Sequence, residues 1–189
     1  AIERARRYGT CTIVIARTHH IACLAAFLRR VTDQGLMMLV MSADPCNENV
    51  APHGGKVGVV SPNPIAAGIP TQGEPILIDV STSITTNGMT QRLQAEGKCF
   101  QGEWLVDADG QLTNDPNAMF AQPKGALLPL GGLQSGHKGY ALSLLVEALT
   151  NGLAGHGRVK PREGWGGTAF IEVFDPDAFG GGTEFLRET

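Results

Sequence analysis

Six short apolar runs, at residues 11–16, 36–41, 57–60, 65–69, 76–80 and 168–174, constrain the fold more than any other feature of this chain. Most are rich in β-branched residues, and Gly, Pro, Asn or Asp bounds them, so each reads as a strand rather than a helix, with 11–16 and 36–41 suited to burial. Helical spacing fills much of the sequence between them. Residues 1–8 read as a charged amphipathic helix that stops at Gly9, and residues 20–34 place Cys23, Leu24, Phe27, Leu28 and Val31 at helical intervals. Thr18 suits the N-cap of that helix and Gly35 its stop. Residues 83–96 and 138–152 read as two further helices, and Asp175-Pro176-Asp177-Ala178 opens a last one. Residues 113–129 are loop-rich, and a glycine-rich connector runs from 155 to 167. Interleaved helices and buried strands predict an α/β protein, a three-layer α/β/α arrangement with helices on both faces of one sheet. Hairpin-like pairs between 57 and 80 predict that the sheet is mixed.

At 189 residues the chain supports one complete core, so a single domain spanning 1–189 is expected. It opens in mid-pattern without an initiator Met, which suggests the central segment of a longer protein. A net charge of -3 argues against an electrostatic grip on nucleic acid or on an anionic membrane surface. No uncharged apolar run approaches the ~18 residues that a membrane-spanning helix needs. Small-molecule partners fit this balance better. Cys11, Cys23, Cys46 and Cys99 lie far apart without a CxxC pair, so reduced structural thiols and a cytoplasmic address are expected.

Several chemistries are excluded by what is missing. No GxGxxG follows a strand, and Gly54-Gly55-Lys56-Val57-Gly58 does not qualify. No GxSxG elbow, Walker motif or HExxH pair occurs. What remains are polar groups at strand ends, where α/β proteins bind ligands. They are His19 and His20 after the first strand, Ser42 and Asp44 after the second, Asp79 after the isoleucine-rich strand, and His137-Lys138 after Gly131-Gly132. His20 is suited to proton transfer, because imidazole titrates near ~6.5; a surface histidine at a helix start is the other reading, and His19 competes with it. Asp79 can accept from a sugar hydroxyl or a carboxamide, or cap the helix near 83. Lys138, set among glycines before a helix, can clamp an anion or stand in solvent. His53 and His156 read as solvated, Asp107 and Asp109 as turn formers, and the spacing of the histidines around Asp79 gives a metal site little support.

Taken in order, Thr-His-His, Pro-His-Gly-Gly, Asn-Pro-Ile-Ala, Ile-Asp-Val-Ser-Thr-Ser, Leu-Pro-Leu-Gly-Gly and His-Lys-Gly-Tyr make a sequence that resembles the type 2 malate/L-lactate dehydrogenase family over nearly its whole length. The resemblance implies a non-Rossmann dinucleotide-binding domain, an NAD(P) cofactor and a homodimer with active sites between domains and subunits. It makes His20 the acid/base and gives cofactor contacts to Asp79, Val80, Ser81 and Lys138, with Ser42 or Asp44 at a further contact. The chain departs from the family pattern in Ile21-Ala22 after the histidine and in an added Leu133-Gln134-Ser135-Gly136. The family's N-terminal Ser-His-Gly element and its substrate arginine have no counterpart here.

The implied reaction is hydride transfer between nicotinamide and C2 of a small 2-hydroxy acid such as malate or lactate. The acidic stretch from Asp44 to Glu48 tilts the cofactor toward NAD, with NADP possible, because it repels a 2'-phosphate. Two other readings stand beside it: an isolated NAD(P)-binding module without turnover, and a structural paralogue that binds no cofactor.

Overall fold

The computed structural model describes residues 1–159, 166–182 and 184. Five strands make the main sheet: β1 (Thr10–Thr18), β2 (Met37–Ala43), β3 (Ile65–Ile69), β4 (Ile76–Val80) and β8 (Gly167–Phe174), in the order β1-β8-β2-β3-β4. A small second sheet pairs β6 (Leu112–Thr113), β5 (Leu105–Val106) and β7 (Ala126–Leu127), in that order. Every strand pairing in both sheets is antiparallel. The expected mixed sheet is therefore corrected: among the described residues the parallel pairing is an isolated bridge between Val50 and Leu127. Short turns join β3 to β4, and β8 enters between β1 and β2 running against both.

Alternation along the strands puts helices on both faces, as the period-2 pattern requires. Cys11, Met38, Val40, Ala66 and Val173 point to one face, where α1 (Ile2–Tyr8) and α2 (Ala25–Thr32) add Ala5, Leu28 and Val31. Met41, Ala43 and Phe170 point to the other and meet Val146 at the end of α4 (Gly132–Glu147). The small sheet encloses a separate core of Val50, Val60, Phe100, Leu105 and Leu127. α3 (Asn87–Ala95) precedes it in the chain and adds Leu93 to that core.

Several element boundaries differ from the sequence expectation, each for a local reason. Residues 57–60 form no strand beyond the single Val50–Val60 bridge, because Gly58 presses against the backbone of Glu48 and Asn49. Thr18 belongs to β1 rather than capping a helix, and α2 starts only at Ala25. Arg17 has φ 60° at a register shift in β1 and Ala22 has φ 56°, so residues 19–24 are a loop instead of a helical turn. The helix expected from 138 begins at Gly132, with Gly131 at φ 95° as its N-cap, and ends in a π-helical turn at Ala148–Gly152. Its glycines face the protein: a Cβ at Gly139 would lie 2.4 Å from the Leu130 carbonyl oxygen. Close approach of two backbones has overridden poor helix propensity there. After β8 the chain makes a 3-10 turn, Pro176–Phe179, whose N-cap Asp175 accepts from Asp177 N–H. The expected connector and last helix lie partly outside the described residues. No described helix is long and apolar enough to cross a membrane.

Candidate functional site

The loop of residues 19–24 faces the end of β2, the Ser61-Pro62-Asn63-Pro64 bend and the start of α3 across a cleft of about 870 Å³. That size is ample for a small molecule or a large part of a dinucleotide. His20, Ser42, Asp44, Asp79 and Ser81 all line it, as does His19. Val80 and Lys138 do not. Val80 sits on the edge strand β4, and Lys138 lies exposed in the second turn of α4, beyond the helix start at which an anion site was expected. His137 packs edge-on against His53, with ring centroids 5.6 Å apart, and is likewise outside the lining.

His20 is oriented from its own loop. The Ala22 backbone N–H donates to His20 Nδ1 at 3.2 Å, which in the neutral ring leaves the proton on Nε2. Asp79 fixes the same loop from across the sheet. Its Oδ2 accepts from the Ala25 N–H at 2.9 Å and from Cys23 Sγ at 3.3 Å. The carboxylate thus caps the first turn of α2, not the helix near 83. That helix, α3, is capped by Thr86, whose side chain accepts from the Met89 N–H. Asp79→Ala is expected to lower the melting temperature by about 2–4 °C, the equivalent of ~1 kcal/mol for a lost cap. Asp79→Asn, which keeps an accepting oxygen, should lose less. Thermal unfolding followed by circular dichroism checks both.

The opposite wall is built from buried polar groups. Asn63 is fully buried between two prolines at φ 43°. Its Nδ2 donates to Ser143 Oγ at 2.9 Å and to Glu147 Oε1 at 3.0 Å, while its Oδ1 accepts from Ser61 Oγ. Ser61 Oγ in turn accepts from the Asp44 N–H at 3.0 Å. Ser42 Oγ donates to the Thr168 carbonyl at 2.9 Å, and Thr168 Oγ1 reaches Asn151 Oδ1 at 2.6 Å. A strained residue held this firmly is the kind that persists at a working surface. Gly167 also lines the cleft, and a Cβ there would meet Thr18 Oγ1 at 3.1 Å and the Ala43 carbonyl at 3.3 Å.

Sequence reading missed Asn47, Asn63, Thr86, Asn87 and Gln91, all of which line the cleft. The Pro-Asn-Pro bend was the available signal for Asn63, since a bend forced by two prolines needs a residue that tolerates positive φ. Asn47 Oδ1 is buried without a hydrogen-bond partner among the described residues. His156, read as solvated, is instead buried, with Nε2 3.1 Å from the Gly166 carbonyl. Asp107 is a turn former as read, accepting from the N–H groups of Asp109 and Gln111. The four cysteines are free, and no group of three or more metal-ligating side chains occurs among the described residues. Past the end of α3, Lys98 and Arg92 hold the exposed Glu96 carboxyl well below its usual range, at about 2. That stabilisation is present at neutral pH and is lost as pH falls through about 2.

A profile of the malate/L-lactate dehydrogenase family matches residues 1–189. The chain belongs to that family. This family member is 33% identical over 180 residues to an L-lactate dehydrogenase of Cupriavidus necator, an alignment covering 92% of the chain and 50% of the relative. It is 37% identical over 202 residues to a Delta(1)-pyrroline-2-carboxylate/Delta(1)-piperideine-2-carboxylate reductase of Pseudomonas syringae pv. tomato, covering 100% of the chain and 55% of the relative. The crystal structure of delta1-piperideine-2-carboxylate reductase from that organism superposes with a TM-score of 0.84 at 36% identity, over 99% of this chain and 56% of that one. Malate dehydrogenase from Pyrococcus horikoshii superposes with a TM-score of 0.81 at 28% identity, over 98% and 51%. The family member thus spans about half the length of the relatives it matches.

Proposed function

We propose that this chain carries the dinucleotide-binding and proton-transfer part of an NAD(P)-dependent oxidoreductase acting at C2 of a small 2-hydroxy or 2-oxo acid. The observation that carries the reading is the convergence of His20, Ser42, Asp44, Asp79 and Ser81 on one cleft, from three separate stretches of a chain in this family. The lining suits a nicotinamide dinucleotide in its donor set. Hydroxyls and amides of Ser42, Asn47, Ser81, Thr86, Asn87 and Gln91 match ribose hydroxyls and a carboxamide. The orphaned Asn47 Oδ1 is an acceptor that a bound hydroxyl or amide would satisfy. The first-turn N–H groups of α3, at Asn87 and Gly88 in the lining, offer a phosphate the positive end of a helix. Lys138 is retained as a cofactor contact on the resemblance of Gly136-His137-Lys138-Gly139 alone, and Val80 as a neighbour on the Asp79-Val80-Ser81 strand.

The bound dinucleotide would supply or accept the hydride. His20 would manage the accompanying proton at Nε2, giving it toward a developing alkoxide in reduction and taking it from the hydroxyl in oxidation. With Nδ1 engaged by the Ala22 N–H, the resting ring is the Nε2–H form; donating from Nε2 without leaving an imidazolate requires the doubly protonated ring, so that contact must open in reduction. Working as a base requires Nδ1 to gain a proton, so the Ala22 contact must open in oxidation. Asp79 would hold the histidine loop against α2 while the cofactor enters.

Fluorescence titration with NADH and NADPH, followed by assays with pyruvate, oxaloacetate and cyclic imino acids, tests the reading. Saturable binding with NADH tighter than NADPH is expected, because the carboxylates of Asp44 and Glu48 disfavour a 2'-phosphate. Binding without any turnover would leave a cofactor-binding module, and no binding of either dinucleotide would overturn the proposal.

A further inference from the structure

Arg158 lies outside the cleft lining, yet it is tied to the cleft wall by more hydrogen bonds than any other side chain described above. Its Nη2 donates to the Asp44 carbonyl at 2.8 Å and to Glu147 Oε1 at 2.8 Å. Nη1 donates to the carbonyls of Asn47 at 2.8 Å and Pro45 at 3.1 Å, and Nε to Glu147 Oε2 at 3.2 Å. Those five bonds match the number of N–H donors that a guanidinium owns. The ion pair is mostly shielded, with side chains 18% and 17% exposed. Glu147 is satisfied on its other sides by Asn63 Nδ2 and by Asn151 Nδ2 at 2.7 Å.

Three carbonyls gathered at one point would repel one another without a cation between them. Here they belong to the short turn that follows β2, and that turn carries Asp44 and Asn47 into the cleft. The hydrogen-bonded circuit also closes on itself: Asp44 N–H to Ser61, Ser61 to Asn63, Asn63 to Glu147, Glu147 to Arg158, and Arg158 back to the Asp44 carbonyl. We infer that Glu147 and Arg158 are positioning residues for the 44–47 turn, setting the wall that the cofactor's polar end meets. Lysine cannot substitute, since a single ammonium lacks the planar fork that spans three carbonyls and a carboxylate. The inference rests on the proposed function for the identity of the ligand, and on geometry alone for the clamp.

The test compares wild type, Arg158→Lys and the double substitution Glu147→Leu/Arg158→Met. The double substitution removes both charges together and avoids leaving one buried and unpaired. Amide hydrogen exchange is measured alongside NADH affinity. The N–H groups of Asp44, Cys46 and Asn47 are all hydrogen-bonded in place, so exchange at 44–47 should quicken at least ~10-fold in both variants while the main sheet stays protected. NADH dissociation constants should rise by a similar factor. Folded variants with unchanged exchange and unchanged affinity would overturn the inference, and so would global unfolding of both, which would make the pair a brace for the whole fold. If wild type fails to bind NADH, the proposed function falls, and the exchange measurement still decides whether the clamp exists.

Discussion

His20→Ala is expected to lower turnover of a 2-oxo acid by about 10²–10⁴-fold while leaving NADH affinity within about twofold of wild type. The side chain is exposed in the cleft, where its Nδ1 accepts from the Ala22 N–H, so its loss opens no core cavity and leaves that N–H accessible to solvent. The defect should therefore fall on kcat and spare the melting temperature. His19→Ala is the matched control, because His19 shares the loop and the lining. If His20→Ala turns over normally and His19→Ala does not, the proton role belongs to His19. Preserved turnover in both would remove histidine chemistry from the mechanism.

Leu28→Ala should be the most destabilising single substitution considered, at about 2–5 kcal/mol, with the melting temperature down by roughly 5–15 °C. Leu28 is 0% exposed and packs with Leu24, Val31, Leu36, Val40 and Ala66. Gly68 sharpens the fit. A Cβ there would come within 3.1 Å of Leu28 Cβ, so the helix already rests directly on β3 and little can collapse into the gap. α2 has only eight residues and no side-chain cap on its own N-terminal residue, too short to hold itself together in water. Its order comes from packing and from Asp79. Loosening it should therefore reach the His20 loop, and turnover should fall even below the unfolding transition. Phe27→Ala, on the exposed side at 46%, should change the melting temperature by no more than a degree or two. Urea or thermal unfolding of the two variants in parallel checks the contrast.

What could be read from the sequence follows from where local rules decide the outcome. β3 and β4 match the expected residues 65–69 and 76–80, because β-branched runs bounded by Pro and Gly leave little choice. β2 and β8 were located to within two residues. The pairing direction was not legible, since a strand's residues say what face it buries but little about which neighbour lies beside it. The helix starts were misplaced where tertiary contacts override caps: Asp79 reaches across the sheet to begin α2, and Gly131, left-handed, begins α4. For the site, the resemblance and strand-end logic identified His20, Ser42, Asp44, Asp79 and Ser81, which do line one cleft. Asn63, Glu147 and Arg158 escaped because their importance lies in a network between distant segments, and nothing in a lone Asn, Glu or Arg announces it.

The placement of β8 carries a consequence for how the protein is made. Residue 10 pairs with residue 174 and residue 37 pairs with the same residue from the other side, so the middle of the main sheet comes from near the end of the described chain. As the polypeptide leaves the ribosome, β1 and β2 emerge with a gap between them that cannot close until β8 has been synthesised. The floor of the cleft waits with them, because Ser42 bonds to Thr168 and Gly167 forms part of the lining. Pairings this distant in sequence are slow to find and leave strand edges open meanwhile. Ligand competence should be the last property this chain acquires during synthesis, and the nascent protein should depend on chaperones until residue 174 is free.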